Sequence, residues 1–573
     1  MVSKTARRVL ALLLLAGGPA AAEIYVGTYS GSLLVFPDGA NGAQAPVRTI
    51  TGLQTTLRFD WQVAIDALHG EVFALGGNGI VVFPLDATGN ATPTRTISIS
   101  IPGQTIWGLA LDAVRDQLVV ATSDNDSTSR ILVYSRLASG AAAPLRTIAG
   151  SATKMTRVRN IAVDAVTGEI FVTSQNSPTQ ALLVFGPNAN GNVAPIRTIQ
   201  GPKTGLLYPN GVYIDRLHSE VLVADQAAGV LAYPQLGNGD ISPLRHIVGA
   251  LTLIPAAWAV SLLGDDEIAV VDSPEIATGS VSIFPRTANG NVAPRRHIAG
   301  DSSLDGSPAG LAVAEPTLFL HDRRFAVEAT WTTPNGEVGS GHPVTLGDGD
   351  TGYFWFFSPA NVETVVKALD GCAVNQRFWL FAGGLTNVRV ALRVTDLATG
   401  NVRGYVNPLN KPFQPIQDVS AFATCPAAAS ASGRHEIDAP AVAAELAAAT
   451  QATASAIDST LAGCPGICLN NSRFQVEATW TLPDGSHGEA HGVKLTADTA
   501  YQWFFAPSNV ETVIKVIDGC ALNQHYWVFS GGLTNVAVEL RVLDTQNGAR
   551  VNYYNPKGTA FRPIQDVNAF ACN

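Results

Sequence analysis

The sequence predicts an all-β chain, a six-bladed β-propeller followed by two β-sandwich modules. Three observations carry that reading. One motif returns six times at a period near 50 residues. The runs between its turn residues are short and rich in β-branched and aromatic types, as strands are. A tail segment of about 105 residues then occurs twice.

The repeat is clearest in Leu182-Leu-Val-Phe-Gly-Pro-Asn-Ala-Asn-Gly-Asn-Val-Ala-Pro-Ile-Arg-Thr-Ile-Gln-Gly201. Its anchor aromatics are Phe36, Phe83, Tyr134, Phe185, Tyr233 and Phe284, spaced by 47, 51, 51, 48 and 51 residues. Twelve residues after each anchor stands the Arg of an Arg-x-Ile: Arg48, Arg95, Arg146, Arg197, Arg245 and Arg296. Self-similarity at such a period marks a repeat architecture. One period, Arg159 to Ile199, holds four strand-like runs: Asn160-Ile-Ala-Val-Asp164, Glu169-Ile-Phe-Val-Thr173, Ala181-Leu-Leu-Val-Phe185 and the Arg197-Thr-Ile199 segment. Four short strands per period predict a propeller blade.

The ends of this region predict how the ring closes. The chain enters at Ile24-Tyr-Val-Gly-Thr28, which matches a second strand. The missing first strand stands at the far end, as Gly310-Leu-Ala-Val-Ala314. Blade one then combines both ends of the repeat region, leaves no open sheet edge, and places the propeller at about 23–316.

Pro209-Asn-Gly-Val-Tyr-Ile-Asp215, Glu220-Val-Leu-Val-Ala-Asp225 and Gly229-Val-Leu-Ala-Tyr233 resemble the NHL-type repeat of six-bladed propellers in exported bacterial proteins. The resemblance covers roughly half the chain and implies the fold, not an activity. Asp225 departs from it in having no acidic match in several other blades.

Residues 317–425 and 464–573 hold the duplicated module. Phe325-Ala-Val-Glu-Ala-Thr-Trp331 matches Phe474-Gln-Val-Glu-Ala-Thr-Trp480, and Asn361-Val-Glu-Thr-Val365 matches Asn509-Val-Glu-Thr-Val513. Gly383-Gly-Leu-Thr-Asn-Val388 matches Gly531-Gly-Leu-Thr-Asn-Val536. Alternation such as Val388-Arg-Val-Ala-Leu-Arg-Val394 marks half-buried strands, and such strands with turn signals predict a β-sandwich. The module resembles an uncharacterised tail module of secreted proteins, which implies export and names no ligand. Cys372 and Cys425 lie 53 residues apart, Cys520 and Cys572 lie 52 apart, and this equal spacing predicts one disulfide per copy. Cys464-Pro-Gly-Ile-Cys468 is read as a small local disulfide; a redox pair or half a metal site is the other reading. Between the copies, the Ala/Ser-rich residues 426–463 are expected to form a linker, with a spacer helix over 440–461.

Residues 1–22 read as a signal peptide, with Lys4, Arg7 and Arg8, an apolar core over 9–16, and Ala20-Ala-Ala22 before the cut. A secreted or periplasmic product follows. No later segment is long and apolar enough for a membrane span. Net charge is −10 without a basic stripe, which argues against nucleic acid as a partner.

Chemistry has few candidates. Asp66, Asp112, Asp164 and Asp215 recur in one turn, where Asp bonds local amides. Residues that recur in every blade are expected to serve the blade, and the repeated Arg residues likewise. Function on a repeat scaffold shows more often where repeats disagree. At the entry of the innermost strands the blades carry Trp61 and Gln62, Trp107, Arg159 and Asn160, Asn210, and Trp258. These positions face one mouth of the channel and are the candidate ligand-binding residues; the competing reading packs the Trp residues between blades. Asp124-Asn-Asp126, Gln175-Asn176, Asp225 and Asp272-Ser-Pro-Glu275 lie in loops of the same face. The propeller histidines His69, His218, His246 and His297 do not converge at one mouth, so no metal is expected from them. No nucleophile elbow, HExxH or phosphate loop is present. The expectation is a secreted binding protein with no cofactor, taking a small ligand, glycan or peptide on the propeller face and using the tail modules for surface or partner contacts. A metal-assisted hydrolase or lyase is the alternative, by analogy of fold alone.

Overall fold

The computed structural model describes residues 22–425 and 466–572, apart from 59–61, 78, 125–127, 176–179, 265–266, 275–277, 301–303, 305–306, 347–348, 360 and 508. The signal region, the linker with its expected helix, and Cys464 lie outside the described residues.

The blades are built from runs that are apolar on both faces. In Ala181–Phe185 every residue is buried. Side chains alternate across a strand, so Leu183 and Phe185 pack with Ile131 and Val133 of the preceding blade. Leu182 and Val184 pack with Val221, Val223 and Tyr233 of the following one. Each blade is thus sandwiched by two others, which is why its middle strands read as unbroken hydrophobic runs. Six four-stranded antiparallel sheets result. Their inner strands are Pro308–Ala314, Val63–Asp66, Thr105–Asp112, Val158–Val163, Pro209–Asp215 and Ala257–Leu263.

Blade one closes the ring as the ends of the repeat predict. Ile24 and Val26 pair with Val313 and Leu311 on one side and with Phe36 and Leu34 on the other. A second closure device was not legible beforehand. The Ile of each Arg-x-Ile forms a parallel bridge to a glycine of the next blade: Ile50 to Gly89, Ile97 to Gly140, and so on to Ile298 with Gly42 of blade one. These glycines hold φ between +61° and +82°, the left-handed region that favours Gly. The asparagines beside them accept neighbouring-blade amides, as Asn192 Oδ1 does from Ala152 at 2.7 Å. The Asn-Gly-Asn motif, complete at 190–192 and 289–291, is therefore a clasp between blades.

The tail holds two β-sandwich modules. In the second copy, Phe474–Thr481 and Ala537–Asp544 lie in one five-stranded sheet, Val510–Asp518 and His525–Gly532 in another. Phe474, Val476, Val538 and Leu540 of the first share a core with Ile514, Val516 and Val528 of the second. The first copy repeats the strand order. The expected disulfides form, Cys372 with Cys425 and Cys520 with Cys572, at Cα separations of 5.7 and 5.8 Å. Cys468 is also disulfide-bonded.

Two compact units emerge. One contains the propeller together with Arg323–Pro343 and Val390–Val406; the other contains Phe319–Asp322, Val344–Arg389 and Asn407–Asn573. In the second unit the two copies meet through equivalent residues. Lys367 Nζ donates to Asn509 Oδ1 (2.6 Å) and Val510 O (3.0 Å), while Lys515 Nζ donates to Asn361 Oδ1 and Val362 O. The shared Asn-Val-Glu-Thr-Val motif is the seam between the copies.

Candidate functional site

The repeated polar groups serve the blades. Asp66, Asp112 and Asp215 accept the backbone N–H three residues on, each at 3.1 Å, and Asp164 accepts those of Val166 and Thr167. All four are buried. Arg48, Arg95, Arg197, Arg245 and Arg296 pair with Glu23, Glu71, Glu169, Glu220 and Glu267 of their own second strands. Arg146 meets Gln117 instead, at 3.0 Å. His69 and His218 bond Asp66 and Asp215, whereas His246 and His297 bond Ala228 O and Ser282 Oγ. The four histidines have four separate partners.

The positions where the blades disagree behave differently. Gln62, Trp107, Arg159, Asn210 and Trp258 line one void of about 10 Å³, room for about one water. Arg159 stacks on Trp107, its guanidinium carbon 4.0 Å from the ring centroid, a cation–π contact. Its Nε donates to Gln175 Oε1 at 2.9 Å, and Gln175 Nε2 donates to Asn210 Oδ1 at 2.8 Å. Asn210 is 3% exposed; its Nδ2 meets no acceptor among the described residues. Trp258 Nε1 donates to Ser273 O at 3.0 Å. Burial, and then the charge of Arg157, lower the Arg159 pKa to about 10, so it stays a cation at neutral pH. Asn160 stands apart from the void and lines the main cavity, which Gln62 also reaches. Trp61, Asn176, Asp126 and Glu275 lie outside the described residues. Asp124, Asp225 and Asp272 accept local amides, from Thr128, Tyr208 and Ala256 among others. Burial pushes Asp272 up to about 6.

Behind the mouth runs a cavity of about 320 Å³. Its walls are the inner strands, with Ile65, Leu111, Val163, Ile214 and Val313 among the lining residues. At the opposite end stand Tyr213, Gly264, Glu315 and Arg393. Arg393 belongs to the tail strand Arg389–Asp396, so the first tail module contributes a wall of the propeller cavity. Arg393 Nε donates to Glu328 Oε2 at 2.6 Å, and a terminal nitrogen bonds the same oxygen. Burial works against the Arg393 charge, but Glu328, then Tyr213 and Glu315, outweigh it and raise its pKa. Glu315 accepts Gly264 N–H at 2.6 Å and Ser340 Oγ–H at 2.8 Å. Gly264 has φ +65°, and a Cβ there would lie 2.7 Å from Thr330 Cγ2, so only glycine fits this turn against the tail sheet.

Sequence reading missed this end of the channel. Arg393 and Glu328 have identical counterparts, Arg541 and Glu477, in the second copy. A signal was present in their neighbours. Ala326, Ala391 and Gly404 correspond to Gln475, Glu539 and Asn552. A Cβ on Gly404 would meet Leu217 Cδ1 at 2.8 Å, and Ala391 is 3% exposed. The first copy carries small residues where its sheet meets the propeller; the second carries polar ones.

Burial, then the charge of Glu328, pushes Glu315 up to about 7 from an ordinary 4.5. A carboxyl whose folded pKa is raised binds its proton more tightly when folded. Its contribution is therefore fully present below pH 4.5 and is lost as pH rises through 7. The loss is expected to be about 3 kcal/mol. Glu315→Gln should remove it: in urea unfolding the variant should match the parent near pH 4.5 and exceed it at pH 8. Parallel pH profiles would refute the assignment.

No family model matches the chain, and no curated protein matches it. Among solved structures, it is similar to a chain of a nidogen/laminin complex, with a TM-score of 0.39 and 16% identity over 51% of this chain and 98% of that one. It is also similar to the WD40 β-propeller domain of Doa1, with a TM-score of 0.30 and 12% identity over 53% and 81%. Both scores are below 0.5, so the propeller assignment rests on the order of its strands.

Proposed function

We propose that the chain is an exported binding protein that holds a small ligand in the propeller channel, entered at the mouth of Gln62, Trp107, Arg159, Asn210 and Trp258. One observation carries this reading. Residues at which the blades differ meet around one void, at one end of a lined cavity of about 320 Å³. Aromatic walls with a few orienting polar groups suit a small molecule, a glycan end or a peptide end. Asn210 supplies a buried donor with no acceptor among the described residues, which a ligand oxygen would satisfy. Export fits the disulfides; no helix among the described residues is long and apolar enough to cross a membrane. We assign partner contacts to the second tail copy, where Glu539, Tyr554 and Lys557 line an open groove of about 290 Å³.

The hydrolase or lyase alternative draws no support from donor geometry. Among the described residues, the groups with metal-ligand spacing are Asp370 with Cys372 and Cys425, and Asp518 with Cys520 and Cys572. Their cysteines are in disulfides. Elemental analysis of the purified protein tests the alternative directly.

Ligand screening of the intact protein, followed by calorimetry on the hits, tests the binding reading. Trp107→Ala is expected to weaken a channel ligand about tenfold or more, as loss of an aromatic anchor does. If Trp107→Ala and Arg159→Ala leave every detected affinity unchanged, the mouth is not the entrance.

A further inference from the structure

The end of the channel walled by the tail strand bears on what the channel holds. Among the described residues, the titratable side chains that gather there are Tyr213, Glu315, Glu328 and Arg393. Arg393 is committed to Glu328 by two hydrogen bonds to one oxygen. Among the described residues, Glu315, 8% exposed, receives hydrogen bonds from the neutral donors Gly264 N–H and Ser340 Oγ–H. The cluster therefore holds two carboxylates against one guanidinium. Among the described residues, Glu315 and Arg393 are the charged ones that line the cavity, and the walls beyond them are largely aliphatic. A buried carboxylate without a cation of its own is unfavourable, and a cation delivered by a ligand offsets that cost.

Resting on the channel reading, we infer that this end is a subsite for a primary ammonium group carried on a narrow apolar body. The ammonium meets Glu315, and the body lies along the inner strands toward the mouth. An anion is disfavoured there because Arg393 is already paired and Glu315 and Glu328 face the same space. In the free protein, burial and then Glu328 push Glu315 up to about 7. An ammonium must displace the proton this group holds at lower pH, so binding strengthens as pH rises through neutrality and releases a proton below it. Among the described residues, Glu328 and Arg393 are the titratable groups that act on Glu315, and Tyr213, itself under the charge of Asp215, acts on Arg393.

The test uses the full chain with two probes of the same shape, n-hexylammonium and 1-hexanol, in titration calorimetry at pH 6 and pH 8.5. Hexylammonium is expected to bind about tenfold tighter at pH 8.5 than at pH 6 and to release close to one proton at pH 6. The release is measured in buffers of different ionisation heat and needs no variant. Hexanol should show neither effect. Glu315→Gln should weaken hexylammonium about tenfold and leave hexanol unchanged. Equal binding of both probes, no proton release at pH 6, or an unaltered Glu315→Gln overturns the ammonium assignment and leaves the channel reading standing. No binding of either probe, or binding that persists when Ala162→Phe fills the channel, overturns the channel reading and this inference with it.

Discussion

Deleting Gly310–Ala314 is expected to abolish cooperative unfolding of the propeller. These residues are most of the inner strand of blade one and pair with Gly27 through Glu23. Without them the strand Glu23–Thr28 is left with a bare edge facing the channel, and Leu311 leaves a core that also holds Ile24, Val26, Val271 and Ile283. The neighbouring blade loses its packing surface at the same stroke. The effect should rival the whole stability of a domain, about 5–15 kcal/mol, because a ring with one open blade exposes apolar faces on both sides and invites edge pairing between molecules. Calorimetry and light scattering read the outcome. A deleted chain that stays monomeric and melts in one transition like the parent would show that the inter-blade bridges alone close the ring.

Replacing Arg393 with Met is expected to lower stability, by less than the about 3–5 kcal/mol of a fully buried pair, since Glu328 loses its cation while the two side chains are 26% and 20% exposed. The packing of the aliphatic stem is kept by Met, so the loss reports the charge. Glu328→Gln added to Arg393→Met should recover most of it, because the pair is then removed together. The second copy supplies a control inside the same molecule. Arg541 pairs with Glu539 at 2.9 Å, but with side chains 47% and 36% exposed. Arg541→Met should leave the urea midpoint unchanged, as exposed pairs contribute little. An Arg393→Met chain that unfolds at the parental midpoint would mean that the tail sheet holds the propeller without this ion pair.

These two expectations differ in how far the sequence announced them. Ring closure was a matter of counting: strands of one kind were in excess at one end and missing at the other. The paired disulfides followed from equal spacing in duplicated segments. The grouping of Trp107, Arg159, Asn210 and Trp258 around one void was partly legible, because they stand where the repeats disagree. That Arg159 lies on Trp107, and that Gln175 ties it to Asn210, depends on two adjacent blades and no single repeat shows it.

By itself, the sequence determined the elements and their order. Alternation and period say which residues share a strand face, and a repeat copies that information six times. The tertiary structure alone decided which tail copy walls the cavity, that Glu315 and Arg393 stand together at one end of it, and that Asn-Gly-Asn clasps neighbouring blades. The physical reason is distance along the chain. The Glu315–Glu328–Arg393–Tyr213 cluster draws on a blade-five strand, the residue after the ring-closing strand and two tail strands. Burial of its charges is set by groups brought together only when the ring has closed and the tail sheet has docked. A pattern local to one strand carries no trace of that, except in the small residues Ala326, Ala391 and Gly404 that let the sheet come close.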